Sequence, residues 1–156
     1  MSLSLLFVCL GNICRSPMAE GIARREFQRL GLDWTVASAG TGDWHIGHCA
    51  DTRAIRCAGA AGYPLAEHRG RQVCADDFQR HDWLLAMDRA NLAALRAMAP
   101  PAARARCALL LEAAGTAPPA EVPDPWFGDE PGFDEVLALL RPAILALPQR
   151  LAGRGG

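Results

Sequence analysis

Val8-Cys9-Leu10-Gly11-Asn12-Ile13-Cys14-Arg15-Ser16-Pro17 lies between two segments of different period. Before it, Leu3 to Val8 is an apolar run of strand length; after it, Pro17 to Leu30 spaces its apolar residues as an amphipathic helix does. These ten residues therefore make a tight strand-to-helix connection. The first backbone N–H groups of a helix lack intrahelical partners, and the aligned peptide dipoles make that end electropositive. An anion binds readily in front of such an end, and a cysteine placed there ionises more readily than a free thiol. Arg15 adds a planar fork of donors that matches phosphate oxygens. Gly11 and Asn12 stand where the loop must turn sharply for its amides to converge, and both residue types tolerate positive φ. The chemistry this predicts is phosphoryl transfer to the Cys9 sulfur. Arg15 would clamp the equatorial oxygens, and the loop from Leu10, Gly11, Asn12 and Ile13 to Cys14 and Ser16 would cradle the group. Ser16 has two readings: it donates a hydrogen bond to Cys9, or it caps the helix ahead of Pro17 at the first helical position.

The same change of period recurs along the chain. Trp34 to Ala39 reads as a second strand ending at Gly40, and Asp51 as the N-cap of a helix running to about Ala61 and stopped by Gly62. Ala75 to Arg80 reads as a short helix and Asp82 to Met87 as a buried third strand. Asp88 would cap a helix from Arg89 to Met98, closed by Pro100-Pro101. Arg106 to Leu111 is the candidate fourth strand. Glu112 to Gly132 reads as a long loop rich in Pro, Gly and Ala, a length that points to function. Phe133 to Leu151 has helical spacing, with Pro142 and Pro148 predicting a kink or a break. Strands alternating with helices predict an α/β fold with a small parallel sheet, whose ligands sit at the carboxyl ends of the strands, where the Cys9 loop lies. With 156 residues, 51% of them hydrophobic, the chain can bury one substantial core, so residues 1–156 are expected to form a single domain.

Composition narrows the chemistry further. A net charge of −1 without a long basic run argues against a nucleic-acid partner. All 16 basic residues are arginines, which rules out a Walker A lysine, a Schiff-base lysine and a Ser-Lys dyad. Any phosphate must be held by backbone amides and arginine. The apolar run at the N-terminus is short, lacks a basic flank and a cleavage site, and nothing approaches the length of a membrane span. A cytoplasmic protein with no membrane partner is expected, in which Cys9, Cys14, Cys49, Cys57, Cys74 and Cys107 are reduced. His45, His48 and Cys49 are metal-ligand types at close spacing, but no second cluster completes a set of four, so no metal is expected.

The segment from Cys9 to Pro17 resembles the phosphate-binding loop of the low-molecular-weight protein-tyrosine phosphatases: a cysteine, five residues, an arginine and a serine, near the start of the chain. Ser38-Ala39-Gly40-Thr41-Gly42, Trp44-His45, Gly47, His68-Arg69, Met87-Asp88 before Asn91-Leu92, and Val122-Pro123-Asp124-Pro125 are also similar to segments of that family. The resemblance runs from about Leu5 to the final helix. It implies a flavodoxin-like fold, a four-stranded parallel sheet flanked by helices. It also implies two-step hydrolysis of phosphotyrosine through a phosphocysteine, with no metal and no organic cofactor.

For individual residues the resemblance implies the following roles. Asp124 is the general acid that protonates the tyrosyl oxygen and then activates water, where an isolated Asp-Pro would otherwise read as a turn initiator. Ser38 and His68 hold Asn12, with Ser16 in the same supporting shell, although His68 alone would read as an exposed loop histidine. Trp44, Trp126 and Phe127 wall a slot for a phenyl ring, or else pack in the core. Trp126 and Phe127 stand where the family usually has tyrosines, and Tyr63 is the single tyrosine of the chain. Cys14 pairs reversibly with Cys9 to protect it from over-oxidation, or is a small apolar filler. The implied substrate is a phosphotyrosine protein, a bacterial tyrosine kinase being one candidate. A thiol-dependent arsenate reductase of the same fold is the competing reading. Cys57, Cys74 and Cys107, however, lack the close pair after the third strand that its relay requires. A non-catalytic phosphopeptide binder is disfavoured because both Cys9 and Asp124 are present.

Overall fold

In a computed structural model, which describes residues 2–116, 119–126, 128 and 130–152, β1 (Ser4–Cys9) is a central strand of a parallel sheet. The strand order is β2-β1-β3-β4, with β2 at Thr35–Gly40, β3 at Trp83–Ala86 and β4 at Cys107–Leu109. Helices cover both faces, so β1 carries an unbroken apolar run rather than an alternating one. Leu5 and Phe7 pack into one core with Met18 and Ile22 of α1 (Arg15–Arg29) and Phe133 and Ile144 of α6 (Glu130–Ala152). Leu6 and Val8 point the other way, toward Phe78 of α3 (Asp77–Arg80) and Leu95 of α4 (Arg89–Met98). The expected four-stranded α/β fold is the observed one.

Register decides where chemistry can gather. Cys9 pairs with Gly40 and Val8 with Ala86, so the carboxyl ends of three strands meet at one edge of the sheet. There the chain leaves β1 toward one layer and β3 toward the other, the switch point at which such sheets bind ligands. The N–H groups of Thr41 and Met87 donate to the carbonyls of Cys9 and Val8 at 2.9 and 3.0 Å, fixing the neighbouring loops on the Cys9 loop.

Three expectations need correction. The fourth strand ends at Leu109, and Leu110–Ala114 is a helix, α5, closed by Gly115 in the left-handed conformation at φ 68°. Cys107 to Leu111 is a continuous apolar run, which fits a buried strand and the start of a buried helix equally well. Consequently the long loop begins at Thr116 rather than Glu112. A 3₁₀ turn at Pro101–Arg106, unforeseen, follows the double proline. The last helix starts at Glu130 and is a single element with Pro142 and Pro148 inside it, so no break occurs. Two prolines cost about 3 kcal/mol apiece, while Leu140, Ile144, Leu147 and Leu151, all fully buried, return about 2 kcal/mol each, so burial wins. Among the described residues no helix is long and apolar enough to cross a membrane.

Candidate active site

Cys9 ends β1 with 2% of its surface exposed. Its Sγ accepts the Asn12 backbone N–H at 3.3 Å and lies 3.0 Å from Ser16 Oγ. Asn12 Nδ2 donates to that same Ser16 oxygen at 2.8 Å. With its oxygen accepting from Asn12, the Ser16 hydroxyl is free to donate to the sulfur. The alternative in which Ser16 caps the helix is not observed: α1 begins at Arg15, its N-cap is Cys14, and no side chain caps it. The first-turn N–H groups are therefore not taken up by a cap, which is what an anion site requires.

The sharp turn of the loop falls on Asn12 alone, at φ 58°; Gly11 is not left-handed. Gly11 is needed for clearance, since a Cβ there would stand 3.0 Å from His45 Cδ2. Asn12 is buried and held from several sides. Its Nδ2 donates to Ser38 Oγ at 3.0 Å, its Oδ1 accepts the Arg71 N–H at 2.9 Å, and its carbonyl accepts from His68 Nε2 at 2.7 Å. Asparagine adopts left-handed backbone more readily than other residues that carry a Cβ, and the surrounding bonds fix it there. Ser38 Oγ in turn donates to Glu20 Oε1 at 2.5 Å. Arg71 is itself anchored, its fork resting on Asp77 at 3.0 and 2.8 Å. Burial pushes the Asp77 carboxyl up, but hydrogen bonds from His81, Arg71 and the Cys74 N–H more than offset this and hold it well below the usual carboxylate range.

Arg15 occupies the first turn of α1, a poor place for a cation unless anions lie close. Two carboxylates supply them. Nη1 donates to Asp88 Oδ2 at 2.7 Å and to the Val122 carbonyl at 2.9 Å, and Nη2 is 3.6 Å from Asp124 Oδ2. The Arg15 side chain is 3% exposed, against 35% for Asp124. Asp88 divides its oxygens, Oδ1 capping α4 through the Asn91 N–H at 2.8 Å while Oδ2 holds Arg15. Asp124 also accepts the Trp126 N–H at 3.0 Å, so the turn-initiating reading of this Asp-Pro holds beside its place at the site.

These groups open on one cavity of about 240 Å³, with Cys9, Arg15 and Asp124 in its lining. Trp44 and Trp126 stand in its wall, 64% and 40% exposed, so neither is a core residue. His45 sits against Trp126, ring centroids 5.6 Å apart. Cys14 also lines the cavity, where burial first, then the charges of Asp51, Cys9 and Asp124, push its thiol up. Phe127, the third expected wall residue, lies outside the described residues. His45 and His48 face each other, Nδ1 to Nδ1 at 3.2 Å, and among the described residues no group of three ligand-type side chains could hold a metal.

Sequence reasoning missed several participants, among them Arg71 and its anchor Asp77. Asp88 read only as a cap, though its place at the end of β3 beside the Cys9 loop was a usable signal. Glu20, half-buried on α1 and bonded to Ser38, gave no distinct signal, since α1 also buries Glu26. His45 was given a role only as a metal ligand, although Trp44-His45 is one of the segments that resemble the family. Arg53, which donates to the Trp126 and Gly128 carbonyls beyond Asp124, gave no signal of that contact, because those two partners lie 73 and 75 residues away.

The geometry has close counterparts. A family model described as low molecular weight phosphotyrosine protein phosphatase matches residues 4–154. The low molecular weight protein-tyrosine phosphatase A of Mycobacterium tuberculosis is 40% identical, over 98% of this chain and 96% of its own. A low molecular weight protein-tyrosine-phosphatase of Streptomyces coelicolor is 39% identical, over 99% of each. The crystal structure of a protein tyrosine phosphatase from Entamoeba histolytica superposes with a TM-score of 0.92 at 35% identity, covering 97% of this chain and 98% of that one. The chain belongs to the low molecular weight phosphotyrosine protein phosphatase family.

Proposed function

We propose that this chain is a single-domain protein-tyrosine phosphatase that cleaves aryl phosphate monoesters through a phosphocysteine. The observation that carries the reading is the position of the Cys9 sulfur: it lies among the Asn12 N–H and Ser16 hydroxyl in a cavity that Arg15 and Asp124 also line.

In the first step the Cys9 thiolate attacks phosphorus and the P–O bond to the tyrosyl oxygen breaks. Arg15 and the loop amides take the charge on the three equatorial oxygens. Its 3.6 Å approach to Asp124 is too long for a good hydrogen bond, so Nη2 can turn to an incoming oxygen. Asp124, entering as the carboxylic acid, protonates the leaving oxygen, whose conjugate acid is a weak one with a pKa of about 10. In the second step the Asp124 carboxylate takes a proton from water as it attacks the phosphocysteine. The departing thiolate is received by the Ser16 hydroxyl and the Asn12 N–H. Ser38, His68 and Glu20 act through Asn12, which they keep in its left-handed conformation.

Trp44 and Trp126 favour a flat ring on a phosphate-bearing stalk, which matches phosphotyrosine and not the shorter phosphoserine. The substrate is accordingly a phosphotyrosine protein, with a bacterial tyrosine kinase among the candidates, and a thiolate nucleophile suits the reducing cytoplasm. The purified protein should release inorganic phosphate from a phosphotyrosyl peptide, with little from its phosphoseryl counterpart. Arsenate-dependent consumption of reduced thioredoxin without phosphate release would instead establish the reductase reading.

Cys14 supplies a redox safeguard in this proposal. Peroxide converts the Cys9 thiolate to a sulfenic acid, and the Cys14 thiol condenses with it to a disulfide and water. After a brief peroxide pulse, dithiothreitol should restore most activity to the wild type and clearly less to Cys14→Ser, as followed by para-nitrophenyl phosphate turnover. Equal recovery in both would remove Cys14 from this role.

A further inference from the structure

The loop that bears Asp124 is tied down on both sides of that residue, by different parts of the molecule. On the N-terminal side the ties come from the sheet edge and the phosphate loop: the Val122 N–H donates to the Met87 carbonyl at 2.8 Å, and Arg15 to the Val122 carbonyl. On the C-terminal side Arg53, in the first turn of α2 (Thr52–Ala60), reaches the loop. Its Nη1 donates to the Gly128 carbonyl at 2.7 Å and its Nη2 to the Trp126 carbonyl at 3.2 Å.

Arg53 is itself held rigidly. Asp51 receives Nε and Nη2, each at 3.0 Å, on its two carboxylate oxygens, and the guanidinium lies 4.7 Å from the centroid of the Phe133 ring and 5.8 Å from that of Trp126. Asp51 accepts the Arg53 N–H as helix cap, and its own N–H donates to the Ile13 carbonyl at 2.8 Å. A continuous chain therefore runs from the phosphate loop through Asp51 and Arg53 to the far side of the acid loop.

We infer that Arg53, seated on Asp51, is the positioning residue that fixes where Asp124 stands relative to the Cys9 loop. The inference rests on the reading of Asp124 as general acid. Arg53 touches no reacting atom. It bonds main-chain oxygens, so the side chains of the loop can vary without loss of the tie. Without Arg53 the segment after Asp124 loses the two bonds to the Trp126 and Gly128 carbonyls, and Asp124 spends less time where it can protonate a leaving oxygen, while the phosphate loop is untouched.

This separates two quantities that a merely structural role would move together. In Arg53→Ala, kcat/KM should fall about tenfold on phenyl phosphate, which needs the proton, and no more than about twofold on para-nitrophenyl phosphate, which needs it little. Inhibition by orthovanadate, which reports the phosphate loop, should change by less than about twofold. Arg53→Lys, with one point donor in place of the fork, should recover part of the loss. In an Asp124→Ala background, Arg53→Ala should cost less than about a further twofold, because two residues acting through one step are not additive. Should Arg53→Ala be too unstable to assay, Arg53→Gln, which keeps an amide donor, carries the same comparison. Equal loss on both esters, no loss on either, or a full additional loss in the Asp124→Ala background would overturn the inference. An Asp124→Ala variant that does not distinguish the two esters would overturn the acid reading itself, a separate result.

Discussion

Replacing Cys9 by serine should abolish turnover of aryl phosphates, by at least about 10⁴-fold, while leaving phosphate binding largely in place. The exchange is nearly isosteric, so the Asn12 N–H and Ser16 hydroxyl that now meet sulfur at 3.3 and 3.0 Å would meet oxygen instead. What changes is the nucleophile: an alcohol stays protonated at neutral pH, and the Asn12 N–H and Ser16 hydroxyl that flank it are not bases that could take its proton, while His45 lines the cavity beside Trp126. Arg15 and the open first turn of α1 remain, so orthovanadate and phosphate should still bind. Rapid acid quench of the wild type with labelled para-nitrophenyl phosphate should capture label on the protein, and Cys9→Ser should capture none. Residual turnover in Cys9→Ser within a hundredfold of wild type would remove the phosphocysteine from the mechanism.

How far the sequence carried the reading depends on how local each interaction is. The Cys9 loop was legible because its chemistry lies within one strand-to-helix turn, where residue type and spacing set backbone direction. Asp51 and Asp88 were legible as helix caps for the same reason. Leu110–Ala114 was not, since the short apolar run from Cys107 to Leu111 has no period to show. The unbroken passage of α6 through Pro142 and Pro148 depends on burial against α1, α2 and α5, which no window of α6 contains. Asp88 as the partner of Arg15, and Arg53 as a tie to the acid loop, lie 73 and up to 75 residues from their partners and follow only from the sheet order. Ser16 carried two local readings, of which the contact with Cys9 is observed and the cap is not. Its local signal as a cap was strong, and the sulfur and amide beside it in space claimed its hydroxyl instead.

Replacing Asp124 by alanine should act chiefly where the leaving group is poor. A general acid contributes about 10²–10⁴-fold when the leaving oxygen must be protonated, so kcat/KM on phenyl phosphate or a phosphotyrosyl peptide should fall by that order. The loss on para-nitrophenyl phosphate, whose anion departs more easily, should be at least tenfold smaller. Two features of the site make the split interpretable. Asp124 is 35% exposed and contacts Arg15 only at 3.6 Å, so its removal leaves Arg15 on Asp88 and on the Val122 carbonyl. Phosphate binding should then be retained, and orthovanadate inhibition gives the control. The Trp126 N–H loses its acceptor, but Arg53 still holds the carbonyls of Trp126 and Gly128, so the segment after residue 124 keeps those ties. The defect belongs to kcat/KM through proton delivery, and it grows with the basicity of the leaving oxygen. A uniform loss across esters would mean that Asp124 orders the loop without donating a proton, and the proton would then have to come from solvent.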